Sequence, residues 1–143
     1  MKILVLNGPN MNMLGIRQPE IYGKATYQDL CDMLRSEAEK LGVDISFFQS
    51  NHEGALVDAI QQAYFDKVDG MLINPAAYTH TSVALLDAVK AVGIPTVEVH
   101  VSDPDSREEF RHVSYIRAAC VATIRGHGLP GYVEALHFLC ERK

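Results

Sequence analysis

The chain has few cysteines, no excess of positive charge and no long apolar run, and each lack closes off a class of function. Cys31, Cys120 and Cys140 are odd in number, widely spaced and set among apolar residues. Such a set reads as core thiols in a reducing cytoplasm, not as a disulfide framework or a metal site. Lysine and arginine total 13 against 18 acidic residues, a formal charge of −5. A nucleic-acid partner would call for a basic patch or stripe instead. No apolar stretch approaches the roughly 20 residues that span a bilayer. Strand-like character begins at residue 2, which leaves little room for a basic, then apolar, targeting segment. The expected location is therefore cytoplasmic. No low-complexity tract, repeat or domain boundary interrupts the sequence, so the expectation is a single domain over residues 1–143 with a real core.

Chemical motifs are missing as well. There is no phosphate-binding P-loop, no acidic pair flanking the first strand, and no Ser or Cys in a nucleophile elbow. The histidines lack metal-ligand spacing. Gly126-His-Gly128-Leu-Pro-Gly131 imitates a dinucleotide fingerprint, but that motif needs a whole βαβ unit after it and an acid about twenty residues on. Too little chain remains, so these glycines read as a turn from the last strand into the last helix.

What is present is a regular alternation. Short branched runs at Ile3–Leu6, Val43–Gln49, Gly70–Ile73, Pro95–Val101 and Ala118–Arg125 read as strands, the first of them buried and the second with partial alternation. Helical spacing runs from the capping box Thr26–Asp29 to Gly42, from Glu53 to Lys67, from Thr79 to Val92, over Glu108–Arg117 as a short helix, and from Pro130 to Arg142. Strands alternating with helices imply a parallel sheet covered on both faces. The expected fold class is α/β, a flavodoxin-like three-layer sandwich with a five-stranded parallel sheet in the order 2-1-3-4-5.

In such a sheet, ligands bind beyond the carboxyl ends of the strands, where the strand order reverses. Polar residues gather at that edge: Asn7 and Asn10, Gln49 and Asn51, Asn74, then His100 and Ser102. The stretch from Asn7 to Gly23 is too long for an ordinary connection and carries three asparagines, an arginine and a tyrosine. Its apolar residues Met11, Met13, Leu14, Ile16 and Ile21 give it means to pack. His100 ends the run Thr96-Val-Glu-Val-His and reads as an acid or base. Glu98 lies two residues earlier on the same strand face, placed to orient the ring. His80, at the start of the third long helix, reads as a donor to a ligand hydroxyl or carboxylate.

Taken together, Asn7-Gly-Pro-Asn10, Leu14-Gly15, Arg17 with Tyr22-Gly23, Asn74-Pro-Ala-Ala-Tyr-Thr-His80-Thr-Ser, Glu98-Val-His100-Val-Ser102 and Arg107-Glu-Glu-Phe-Arg111 are similar to the type II 3-dehydroquinate dehydratases, nearly end to end. The resemblance implies a hydro-lyase of the shikimate pathway, in aromatic amino acid biosynthesis or in quinate breakdown. It would remove water reversibly from 3-dehydroquinate in an anti elimination through an enolate, giving 3-dehydroshikimate. It implies neither imine, metal nor cofactor, and a homododecamer built from trimers. Carried over by position, it makes Tyr22 the proton-abstracting base, Arg17 the stabiliser of developing charge, His100 the proton donor and Asn10 the holder of an enolate-polarising water. Substrate contacts fall to Asn74, His80, Asp87, Val101, Ser102 and Arg111. Asp87 is expected to reach a neighbouring subunit's site. Gln18 stands where many members have glutamate, which alters the charge beside Arg17.

The chemistry suits these residue types. A free tyrosine has a pKa of about 10, too high for a base at neutral pH. A neighbouring guanidinium favours the phenolate, and arginine keeps its charge. A depression of about two units would raise the phenolate fraction roughly a hundredfold. Arg111 and the backbone amides at Val101 and Ser102 suit a substrate carboxylate. Two other classes stay open on the residues alone: a flavodoxin-like binding or signalling module, and a lyase or isomerase of another small anionic sugar acid.

Overall fold

A computed structural model describes residues 1–16 and 18–142, apart from the Tyr22 side chain. Five parallel strands, β1 (Lys2–Asn7), β2 (Asp44–Gln49), β3 (Gly70–Asn74), β4 (Thr96–His100) and β5 (Ala122–Arg125), pair in the order β2-β1-β3-β4-β5. The helices are α1 (Pro19–Tyr22), α2 (Tyr27–Leu41), α3 (Glu53–Phe65), α4 (Val83–Val92) and α5 (Pro130–Glu141). This is the expected flavodoxin-like arrangement.

Period-two alternation sorts the strand residues between the two helical layers. Ile3 and Val5 of β1, Leu72 of β3, and Val97 and Val99 of β4 pack with Leu30, Leu34 and Ala38 of α2 and Leu136 and Leu139 of α5. Leu6, Met71 and Ile73 point the other way, onto Leu56 and Ile60 of α3 and Leu85 and Val89 of α4. Each fully buried leucine or isoleucine contributes about 2 kcal/mol by leaving water. On β4, the parity that sends Val97 and Val99 to one face sends Thr96, Glu98 and His100 to the other, and all five are buried.

Local signals set most helix ends. Thr26 Oγ1 accepts the Asp29 amide at 3.1 Å, and the Thr26 amide donates back to Asp29 Oδ2 at 2.9 Å. That is the reciprocal capping box. Gly42 ends α2 with φ 68°, a left-handed turn that glycine adopts without strain.

Four expectations need correction. The helix expected from Thr79 begins at Val83, because Ser82 Oγ accepts the Leu85 amide at 3.0 Å and caps it; Ala76–His80 is a separate 3₁₀ turn. His80 therefore closes that turn and does not open α4. No α-helix forms over Glu108–Arg117, where the chain makes 3₁₀ turns at Glu109–Arg111 and Ile116–Ala119. The last strand starts at Ala122, not Ala118, since the second of those turns uses up the intervening residues. The long first connection holds a 3₁₀ turn at Met11–Met13 as well as α1. Of its five apolar residues, Met11 and Leu14 are buried and Met13, Ile16 and Ile21 are exposed.

Two glycine features shape the ligand edge. A Cβ on Gly8 would lie 2.3 Å from the Pro75 carbonyl oxygen, so only glycine lets the loops after β1 and β3 touch. Their contact is sealed by the Gly8 amide donating to Asn74 O at 2.8 Å. The dinucleotide-like glycines do turn the chain from β5 into α5: Gly126 and Gly128 have φ 79° and 68°, and their amides donate to the carbonyls of His100 and Val101.

Candidate active site

Asn7 and Asn74 end β1 and β3 as register partners at the point where strand order reverses. Both are buried. The Asn74 amide nitrogen donates to the Tyr132 hydroxyl at 3.0 Å and to Met11 Sδ at 3.5 Å, while its oxygen accepts the Ala76 amide at 3.0 Å. Tyr132, reaching up from α5, donates in turn to Asn7 Oδ1 at 2.6 Å. Complete burial pushes the Tyr132 phenol well above its ordinary range, so it stays a protonated bridge. Burial likewise lifts Tyr27 to about 12. Neither tyrosine suits proton abstraction. Ala76 holds φ 54°, a left-handed conformation worth about 1–2 kcal/mol of strain in a non-glycine residue, right at the cleft wall.

The next strand end supplies an imidazole on a fixed carboxylate. His100 Nε2 lies 2.6 Å from Glu98 Oε2. Glu98 has no solvent exposure and accepts three further side chains: Ser114 Oγ at 2.6 Å, Arg117 Nε at 2.9 Å and Thr123 Oγ1 at 3.0 Å. Burial alone would raise its pKa. The bonds and charges from His100, Arg117 and Ser114 outweigh burial and hold it down at about 2. The carboxylate is therefore ionised at neutral pH, and Nε2 carries the proton it donates. The other ring nitrogen, Nδ1, is left for a ligand.

His80 is fixed by a different acceptor. Its Nδ1 donates to the Val113 carbonyl at 2.7 Å, so the neutral ring presents Nε2 as an acceptor, not as the donor expected from the sequence. Burial first, then the charges of Arg111 and His100, lower its pKa and favour that neutral form. A small cleft, open to solvent, is lined by His80, His100, Asn74, Val101 and Ser102 together with Arg107, Arg111, Met11, Pro104 and the Ala76–Ala77 turn. Its charged lining among the described residues is two arginines and no carboxylate, which suits an anionic ligand. Arg111 Nε also pairs with the exposed Glu108. The Pro104 wall is tied down by Arg125, whose Nη1 lies 2.6 Å from Asp105 Oδ2.

Six of the candidate residues thus share one cleft: Asn74, His80, His100, Val101, Ser102 and Arg111. Asn10 does not line it. Asn10 is exposed with φ 68°, and its amide donates to Asn51 Oδ1 at 3.0 Å. Asp87 is on the exposed side of α4, also away from the cleft of its own chain. Arg17 and the Tyr22 side chain lie outside the described residues. Gln49 pins the first loop, donating to Gly8 O at 3.1 Å. Sequence reasoning assigned no role to Arg107, Tyr132, Ser114, Arg117 or Thr123. Arg107 had a faint signal in its four-residue spacing from Arg111, whereas the others act across sequence separations that no local pattern reveals. Among the described residues no three His, Cys, Asp or Glu side chains gather as a metal-binding set. Cys120 is free, and burial lifts its thiol to about 12.

Comparison with known proteins adds an independent finding. The family described as class II dehydroquinase matches residues 1–140. A 3-dehydroquinate dehydratase from Caldicellulosiruptor bescii is 54% identical over 140 residues, 98% of this chain and 97% of that protein. The type II dehydroquinase crystal structure from Butyrivibrio crossotus superposes with a TM-score of 0.96 at 48% identity, covering 97% of each chain. That from Propionibacterium acnes gives 0.95 at 42% identity, covering 99% of this chain and 97% of that one.

Proposed function

The chain belongs to the class II dehydroquinase family, and from that membership we propose the reaction: reversible elimination of water from 3-dehydroquinate to 3-dehydroshikimate through an enolate. The chain is a hydro-lyase of the shikimate pathway. The observation that carries the reading is the family match over residues 1–140, which spans the whole cleft. Tyr22, made basic by Arg17, takes the proton next to the ketone, and the electron pair moves onto the carbonyl oxygen. Asn10, which does not line the cleft, takes the water that polarises that oxygen on the strength of the family match alone. The enolate then re-forms the ketone and expels the β-hydroxyl, which leaves as water with a proton from His100. Support for the last step is the Nε2–Glu98 bond, which leaves Nδ1 of a fixed ring free for the leaving group. The proton transferred is the second one, which Nδ1 carries when the ring is imidazolium, and the ring returns to its neutral Nε2–H form. Arg111 and the Val101–Ser102 backbone take the carboxylate, and Asn74 and the Nε2 acceptor of His80 take ring hydroxyls. No lysine lines the cleft among the described residues, which leaves an imine route without an amine there.

The working unit is one catalytic domain over residues 1–143, assembled as trimers into a dodecamer in the cytoplasm. Val83, Phe110, Val113 and Tyr115 are exposed by 50%, 66%, 53% and 40% on a single chain, apolar side chains that a second copy would cover. Asp87 follows Val83 by one helical turn on the exposed side of α4, and in this reading it serves a neighbour's cleft. No described helix is long and apolar enough to cross a membrane. The test is spectrophotometric. Purified protein with 3-dehydroquinate should generate the absorbance of a conjugated enone, and silence at high enzyme concentration would refute the reading. Sedimentation should give twelve copies; a stable monomer with full turnover would refute the assembly.

A further inference from the structure

Glu98 is more heavily engaged than an orienting carboxylate requires. A carboxylate has about four lone-pair directions, and here each oxygen is shared by two close donors. Oε2 accepts His100 Nε2 and Ser114 Oγ, both at 2.6 Å, and Oε1 accepts Arg117 Nε at 2.9 Å and Thr123 Oγ1 at 3.0 Å. Three of the donors are neutral when His100 is neutral. Arginine stays charged at any working pH. A buried carboxylate facing only an imidazole would hold the ring proton tightly, because the attraction of imidazolium and carboxylate is weakly screened inside a protein. A ring held that way is a poor proton donor.

Resting on the acid role read for His100, we propose that Arg117 is a positioning residue that balances the Glu98 charge, so that the carboxylate fixes the His100 ring without trapping its proton. Arg117 is not among the described residues that line the cleft. It sits in the Ile116–Ala119 turn, anchored by Ile116 at 1% exposure and by the Tyr115 amide donating to Thr79 O at 3.1 Å. Its side chain is 35% exposed, so water screens its charge in part.

Other charges around His100 are already committed elsewhere or act from the cleft side. From the cleft come His80, Arg107 and Arg111. Across the β4–β5 register stands Arg125, whose guanidinium goes to Asp105 at 2.6 Å and Asp103 at 3.9 Å. From α5, Tyr132 turns to Asn7 and Asn74. Cys120, near Glu98, stays a neutral thiol. On β3 the register partner of Glu98 is Ile73, which has no charge. Arg117 is thus the cation bonded to the carboxylate that orients the ring.

The experiment pairs an NMR titration of the His100 ring nitrogens with pH profiles of turnover on 3-dehydroquinate, in the assembled enzyme. In R117M the ring titration should move up by about one pH unit and kcat should fall about tenfold. KM should stay within about twofold, since no substrate contact is lost. R117K, which keeps the charge, should restore most of the titration midpoint. T123V removes a neutral donor and should leave the midpoint in place. An unmoved midpoint in R117M, an equal shift in T123V, or a KM effect with kcat intact would each overturn the proposal. If R117M does not accumulate as folded protein, R117Q against R117K carries the same comparison. A wild-type protein inactive on 3-dehydroquinate would overturn the activity itself, and the ring titration would still judge Arg117.

Discussion

Glu98→Gln is the sharpest perturbation of this chain. Glu98 is held at about 2 against an ordinary value of 4.5. A folded-state pKa below the unfolded one stabilises the protein above the unfolded value, and that stability is lost as pH falls through the folded value. For a side chain this fully buried, that lowering is worth about 3 kcal/mol. The wild type should therefore shed about 3 kcal/mol through this one group between about pH 4.5 and pH 2. Glu98→Gln has no such titration. At neutral pH it should be less stable by about 3 kcal/mol, because its amide offers one acceptor to four donors and leaves Arg117 half-buried without its carboxylate. The assay is urea unfolding of both proteins at one fixed concentration, since assembly makes stability concentration-dependent, in steps from pH 7 to pH 2.5. The two stability curves should converge as pH falls. Curves that stay parallel would mean that Glu98 is not held ionised by its partners, and the account of the cleft would fall with it.

Four other outcomes are expected. Tyr22→Phe should cut turnover severely with substrate affinity nearly intact, and near-normal steady-state turnover would remove the base assignment. His100→Ala should slow dehydration while deuterium exchange next to the ketone, followed by NMR, persists; loss of both would give His100 a wider role. Gly8→Ala forces a Cβ to 2.3 Å from the Pro75 carbonyl oxygen and should cost several kcal/mol, of the order of other severe backbone clashes, read as a lowered urea midpoint. Tyr132→Phe leaves Asn7 Oδ1 without its donor at 2.6 Å and should cost about 1–3 kcal/mol in the same assay, with KM rising as Asn74 loosens.

Local physics made much of this molecule legible from its sequence. The Thr26–Asp29 capping box, the Gly42 stop and the alternation of Ile3 and Val5 against Leu6 depend on residues within one turn or one pleat of each other, so they can be read along the chain. The Glu98–His100 bond belongs with them, because period two puts both side chains on one face of β4. The parallel order followed from strand-helix alternation and the hand of the crossovers. Other features needed the folded chain. Ser114, Arg117 and Thr123 converge on Glu98 from 16, 19 and 25 residues away. Tyr132 meets Asn7 across 125. Those distant bonds also explain the failed helix at Glu108–Arg117. A short helix is marginal by itself, and the pull of Ser114 and Arg117 toward a buried carboxylate, with Tyr115 tied to Thr79, outweighs it. Sequence therefore decided what residues within a few positions can settle among themselves. Tertiary structure decided which distant donors surround a buried charge, because an ionised group without water must take its partners from wherever the fold brings them.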